Sequence, residues 1–159
     1  MRRKFIIGMA LALLVLVPAT ATIAADGPLP EVKRATARFA NLALAEAAGY
    51  ERFLDCFDSE AGGMGQHYVN FGLLDTTLEA KKPEAMVYQV NGPRLRLVAV
   101  EYLVPIADWT EDHPPRLFGR HLHPNEELGV YVLHAWIFKR NPAGLFTDYN
   151  PNVPACPQS

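Results

Sequence analysis

Three residues able to bind a metal or move a proton interrupt runs that are otherwise apolar. Glu101 stands in Leu97-Val98-Ala99-Val100-Glu101-Tyr102-Leu103, His134 within Val130 to Phe138, and His67 at the head of His67-Tyr68-Val69-Asn70-Phe71. Strands apolar on both faces are covered on both, and a buried carboxylate is costly unless it is paired or coordinates a metal. His67 is expected to share a strand face with Val69 and Phe71, and His134 with Val132 and Trp136, so both imidazoles point into a core. If the three strands neighbour one another at about 4.8 Å, two histidines and one glutamate converge on one ion and leave a position for water, as catalytic zinc sites do. The expected ligand set is therefore His67, Glu101 and His134 around a divalent metal, zinc favoured. The competing expectation is a core without an ion, in which Glu101 pairs with a histidine or with Arg96 or Arg120.

A second constellation is local: His121-Leu122-His123-Pro124-Asn125-Glu126-Glu127. Its H-x-H-x3-E spacing resembles the first metal motif of the cupin family, and that resemblance implies an alternative metal set of His121, His123 and Glu127 for iron, manganese or zinc. It covers these seven residues only. Arg116 to Arg120 stand where the family has its preceding glycine, and the competing expectation is a polar loop. No catalytic residue is assigned. The only serines are Ser59 and Ser159, neither in a G-x-S-x-G elbow, which argues against a serine hydrolase. Gly62-Gly63-Met64-Gly65 lacks the following Lys-Ser/Thr of a phosphate-binding loop and reads as a flexible turn.

The elements that must position these residues are legible in outline. Pro30 to Ala48 carries Val32, Ala35, Phe39, Leu42 and Ala43 at helical spacing, with proline in the first turn and Gly49 after the end, which predicts one amphipathic helix. Tyr50 to Gly65 reads as an irregular loop. The period then becomes two, and His67 to Phe71, Met86 to Val90, Leu95 to Val104 and Gly129 to Phe138 predict about four strands. Asn91-Gly92 signals an antiparallel hairpin between the second and third, although Pro93, with no amide hydrogen, favours a loop longer than two residues. Pro105 to Leu128 and the tail after Asn141 are rich in proline and turn residues and read as long irregular connections. The expected fold is α+β, with an N-terminal helix packed on an antiparallel sheet.

The 159 residues are half apolar and one-fifth charged, which suits a globular core and excludes a disordered chain or a disulfide-dense miniprotein. Met1-Arg2-Arg3-Lys4, the apolar run Phe5 to Val17 and the small residues up to Ala25 predict a secretory signal peptide over 1–25, followed by one domain over 26–159. Thirteen apolar residues at 1.5 Å each reach about 20 Å, short of a hydrocarbon layer of about 30 Å. The expectation is an exported chain, periplasmic or extracellular, with no membrane association after cleavage. Without Arg2, Arg3 and Lys4, the 15 basic residues fall to 12 against 17 acidic ones, a formal charge of −5. That balance argues against a nucleic-acid partner and names no other. Cys56 and Cys156 are the only cysteines, and export predicts that they form a disulfide.

At a larger scale, Gly63-Met64-Gly65-Gln66-His67-Tyr68-Val69-Asn70, Pro83-Glu84-Ala85-Met86-Val87-Tyr88, Val100-Glu101-Tyr102, Leu133-His134-Ala135-Trp136 and Asn141-Pro142-Ala143-Gly144-Leu145-Phe146 through Asn150-Pro151-Asn152-Val153 to Cys156 are similar to a family of small exported bacterial proteins with no assigned activity. That resemblance implies one domain with a Cys56 to Cys156 bridge, and points to His67, Glu101, His134 and Trp136. The functional expectation is an exported domain that binds a divalent metal or small ligand. Its alternative is a non-catalytic structural or interaction module whose buried histidines and glutamate satisfy the core.

Overall fold

The computed structural model describes residues 28–157; the expected signal peptide lies outside the described residues. The helical segment is broken where a single helix was expected. Helix α1 (Leu29–Thr36) tightens into a 3-10 turn (Ala37–Ala40) and is followed by α2 (Leu42–Ala47). The Thr36 hydroxyl bonds back to the Val32 carbonyl at 2.8 Å, and Asn41, in an extended conformation, caps α2 by accepting from the Ala43 amide at 3.1 Å. The break keeps Leu29, Val32, Phe39 and Ala45 on one buried side, whereas Ala35 and Ala43 are exposed.

Among the described residues eight strands form where about four were expected. A six-stranded antiparallel sheet runs in the order β1 (Glu51–Ser59), β2 (Gly62–Val69), β3 (Ala85–Asn91), β4 (Arg94–Pro105), β8 (Val130–Ala135), β7 (His123–Asn125). A separate hairpin pairs β5 (Arg116–Leu117) with β6 (Arg120–His121). The four expected strands are the central four. The two additions to the main sheet are its edges, where one face and one row of backbone groups stay open to solvent and charged residues or proline are tolerated. Thus Tyr50 to Gly65, expected to be a loop, holds β1, and Pro124 sits within β7. The Gly92-Pro93 turn is a two-residue one: Asn91 pairs with Arg94, and Gly92 takes φ 57°, which its missing Cβ permits.

Alternation sorts the sheet into two faces. Tyr68, Met86, Tyr88, Val100, Tyr102, Leu133 and Ala135 face the helical layer and form the main core with it. The tyrosines reach across this layer: Tyr88 donates to the Phe39 carbonyl at 2.7 Å and Tyr50 to that of Pro83 at 2.7 Å. A bulge resets the alternation in β4, since Tyr88 pairs with Leu97 but Val87 with Ala99, leaving Val98 extra. Under strict alternation Leu97 and Glu101, four residues apart, would share a face; the bulge breaks that parity. With it, Leu97 joins the helical core while Glu101 turns to the opposite face.

The tail after β8 closes over the far end of that opposite face. Asn150, fully buried, bridges to Gly63 and holds the Arg140 carbonyl, while the Cys56–Cys156 disulfide ties the tail to β1 with Cα atoms 5.7 Å apart. The glycine run in β2 makes this approach possible. A Cβ at Gly63 would lie 2.4 Å from the Pro154 carbonyl oxygen and 2.6 Å from a Val153 methyl. The run is therefore part of a strand under close backbone contact, not a flexible turn.

Candidate metal centre

The register of the sheet gathers the candidate residues. Glu101 on β4 pairs directly with His134 on β8, and Ala85 on β3 lies opposite Glu101 from the other side. Val69 pairs with that same Ala85, and His67 stands two residues before Val69 on the same face of β2. Because Ala85 is small, the longer side chains of β2 and β4 meet above it. The His67 Nε2 lies 3.5 Å from Glu101 Oε2, His134 Nε2 lies 3.3 Å from Glu101 Oε1, and the two Nε2 atoms are 3.4 Å apart. All three residues are buried, at 5%, 5% and 1% exposure for His67, Glu101 and His134. Among the described residues they are the one group of three histidine, cysteine or carboxylate side chains whose ligand atoms all converge within 4.8 Å. Neither Arg96 nor Arg120 pairs with Glu101.

Asp148, which nothing in the sequence singled out, completes the cluster. Its Oδ1 sits 3.3 Å from His134 Nδ1, and its Oδ2 sits 3.2 Å from Nε2 of the half-exposed His123. The tail holds it there: the Trp136 amide donates to the Leu145 carbonyl, the Trp136 indole to that of Thr147, and Asn141 to the Tyr149 carbonyl. The Trp136 ring also stacks on His134, with centroids 6.1 Å apart and planes at 12°. A carboxylate on the outer nitrogen of a buried histidine fixes the ring and directs its Nε2 inward, the usual support of a metal-bound imidazole. On His67, Nδ1 makes no hydrogen bond, and the Phe57 ring packs edge-on at 5.6 Å.

Burial and charge pull the two histidines apart. Burial lowers the pKa of His67, and although Glu101 opposes this, the net direction is down, leaving a neutral ring. Burial also pulls His134 down, but Glu101 and Asp148, one at each nitrogen, outweigh it and its pKa is raised. Burial would raise Asp148, yet hydrogen bonds from His123 and His134 hold its carboxyl well below the usual range.

The alternative set is dispersed. His121 lies on β6, hydrogen-bonds the Pro114 carbonyl at 2.9 Å and packs on His113, away from the sheet face. Leu122 between the two histidines is buried in the helical core, and the chain passes there from the small hairpin into β7. His123 pairs opposite Val132 and so faces the cluster, while exposed Glu127 stands at its rim. The cupin-like spacing thus does not converge on one point.

Above the cluster opens a cavity of about 300 Å³. Edge strand β1 contributes Phe53 and Phe57, the opposite edge His123 and Asn125, and the floor is His67, Glu101, His134 and Asp148. Residues from both edges line one space, so the sheet is curled around it. No protein-family model, curated protein or solved structure matches this chain.

Proposed function

We propose that this chain is an exported metal-binding protein that holds one divalent ion, zinc favoured, on His67, Glu101 and His134 at the floor of the cavity. The observation carrying this reading is the spacing of the three ligand atoms. Zinc bonds of about 2.0–2.1 Å place tetrahedral ligands roughly 3.4 Å apart, and the separations here are 3.3, 3.4 and 3.5 Å. Two facing imidazole nitrogens at that distance need a proton or a cation between them. Asp148 on His134 Nδ1 supplies the supporting carboxylate, and the cavity leaves a fourth position open to a small molecule. The disulfide fits an oxidising compartment, in keeping with export. Among the described residues no helix is long and apolar enough to cross a membrane.

A second reading is favoured by the position of His134 between two carboxylates, Glu101 and Asp148. As an imidazolium, it would satisfy both without any ion, and the domain would be a structural or interaction module. The two readings predict opposite responses to pH. Metal binding needs both imidazoles free of protons, so added zinc should raise the melting temperature at about pH 7.5 and lose its effect below the histidine range near 6.5. In the ion-free reading, the folded pKa of His134 is raised, so its contribution is complete below about 6.5 and fades as pH rises through the folded value. Calorimetric titration with zinc at both pH values decides. One zinc per chain at the higher pH supports the metal site; no uptake at micromolar zinc supports the module.

A further inference from the structure

The cavity above the candidate centre has a chemistry of its own, and it narrows what the fourth position takes. Its walls are apolar, from Phe53, Leu74, Leu103, Val130 and Val132, with polar groups at the floor and a second polar set, His123, Asn125 and Glu127, along one edge. Among the described residues the exposed large apolar side chains are Leu44, Leu54, Phe71 and Leu128, and all but Leu44 stand around this mouth. Leu54 also holds φ 53°, a left-handed backbone conformation that a leucine rarely adopts, at the break in register between Phe53 and Phe57. A mouth that carries Leu54, Phe71 and Leu128 beside Glu127, apolar walls and a polar floor suit an elongated molecule with one polar end.

From these features we infer that the cavity binds a small aliphatic monocarboxylate, its carboxylate on the metal and its carbon chain against the apolar walls. The inference rests on the metal reading above. A divalent ion with the Glu101 carboxylate and two neutral imidazoles carries one net positive charge, which Asp148 behind His134 offsets in part, and its open position takes an anionic oxygen as fourth ligand. Without the ion, Glu101 and Asp148 would repel a carboxylate. The volume, about 300 Å³, is on the order of ten non-hydrogen atoms at about 30 Å³ each, the number in octanoate.

The test is titration of zinc-loaded and metal-free protein with octanoate and with 1-octanol, alongside a separate titration with zinc. The expected result is that octanoate binds the zinc-loaded protein, binds the metal-free protein at least tenfold more weakly, and outcompetes 1-octanol. Phe71→Ala, an exposed change at the rim, should weaken octanoate roughly fivefold through lost apolar contact and leave the zinc stoichiometry at one. Zinc uptake without octanoate binding overturns this inference and leaves the metal site standing. Equal octanoate binding with and without zinc overturns the assignment of the carboxylate to the metal. Absence of zinc uptake removes the metal site and this inference with it.

Discussion

Glu84 lies beside the candidate centre, next to the alanine that faces Glu101, and is 1% exposed. One of its oxygens accepts from the Leu103 amide at 3.0 Å, but burial outweighs this bond and pushes its pKa up to about 8. In the unfolded chain the same carboxyl titrates near 4.5. Between these values the folded protein holds a proton that the unfolded chain has released, so stability falls as pH rises. Each pKa unit corresponds to about 1.4 kcal/mol, which gives a loss of about 1 kcal/mol at pH 5, about 3 at pH 7 and a limit of about 5 above pH 8. Glu84→Gln keeps an acceptor for Leu103 and removes the ionisation. Urea unfolding of the wild type and this variant should give curves that coincide near pH 4 and separate steadily, the variant being more stable by about 3 kcal/mol at pH 7. A difference that stays constant from pH 4 to pH 8 would refute the argument, because it would place the effect in packing and not in a proton.

Other expected outcomes concern the cluster and the tail. His134→Ala should abolish stoichiometric zinc binding while leaving a folded, disulfide-bonded protein, and His121→Ala should change neither, as read by metal titration and circular dichroism. Asp148→Asn should weaken zinc roughly 10- to 100-fold without eliminating it, the usual effect of losing the carboxylate behind a ligating histidine; unchanged affinity would mean that Asp148 serves only to fasten the tail. Replacing Cys56 and Cys156 by serine should lower unfolding free energy by about 5 kcal/mol, the chain-entropy value for a loop of this length, measured by denaturant unfolding of both forms.

The central strands and the three convergent residues could be read from the sequence because they obey a simple contradiction: a polar side chain inside a run apolar on both faces. Their convergence depended on register, which a bulge at Val98 sets and alternation alone does not reveal. Strand β1 was missed because an edge strand buries little, and Glu51, Arg52, Asp55 and Asp58 hide the inward Phe53 and Phe57. Strand β7 was missed because it is three residues long and contains Pro124. The single expected helix failed at Asn41, a strong N-cap that the periodicity of the flanking apolar residues ran through. Asp148 sits fourteen residues beyond His134 in a turn-rich tail, no different in local sequence from Asp108 or Asp112. Its only signal was indirect: a buried histidine requires a partner for its second nitrogen.

The most direct measurement is the metal content of wild-type protein expressed from the full 159-residue chain, purified without a histidine tag and without added metal, and analysed for all first-row metals by elemental mass spectrometry. The account predicts one divalent ion per chain, zinc favoured, and none in His67→Ala or Glu101→Gln protein purified alongside. Wild-type protein that is folded and oxidised yet carries no more metal than those variants would contradict it.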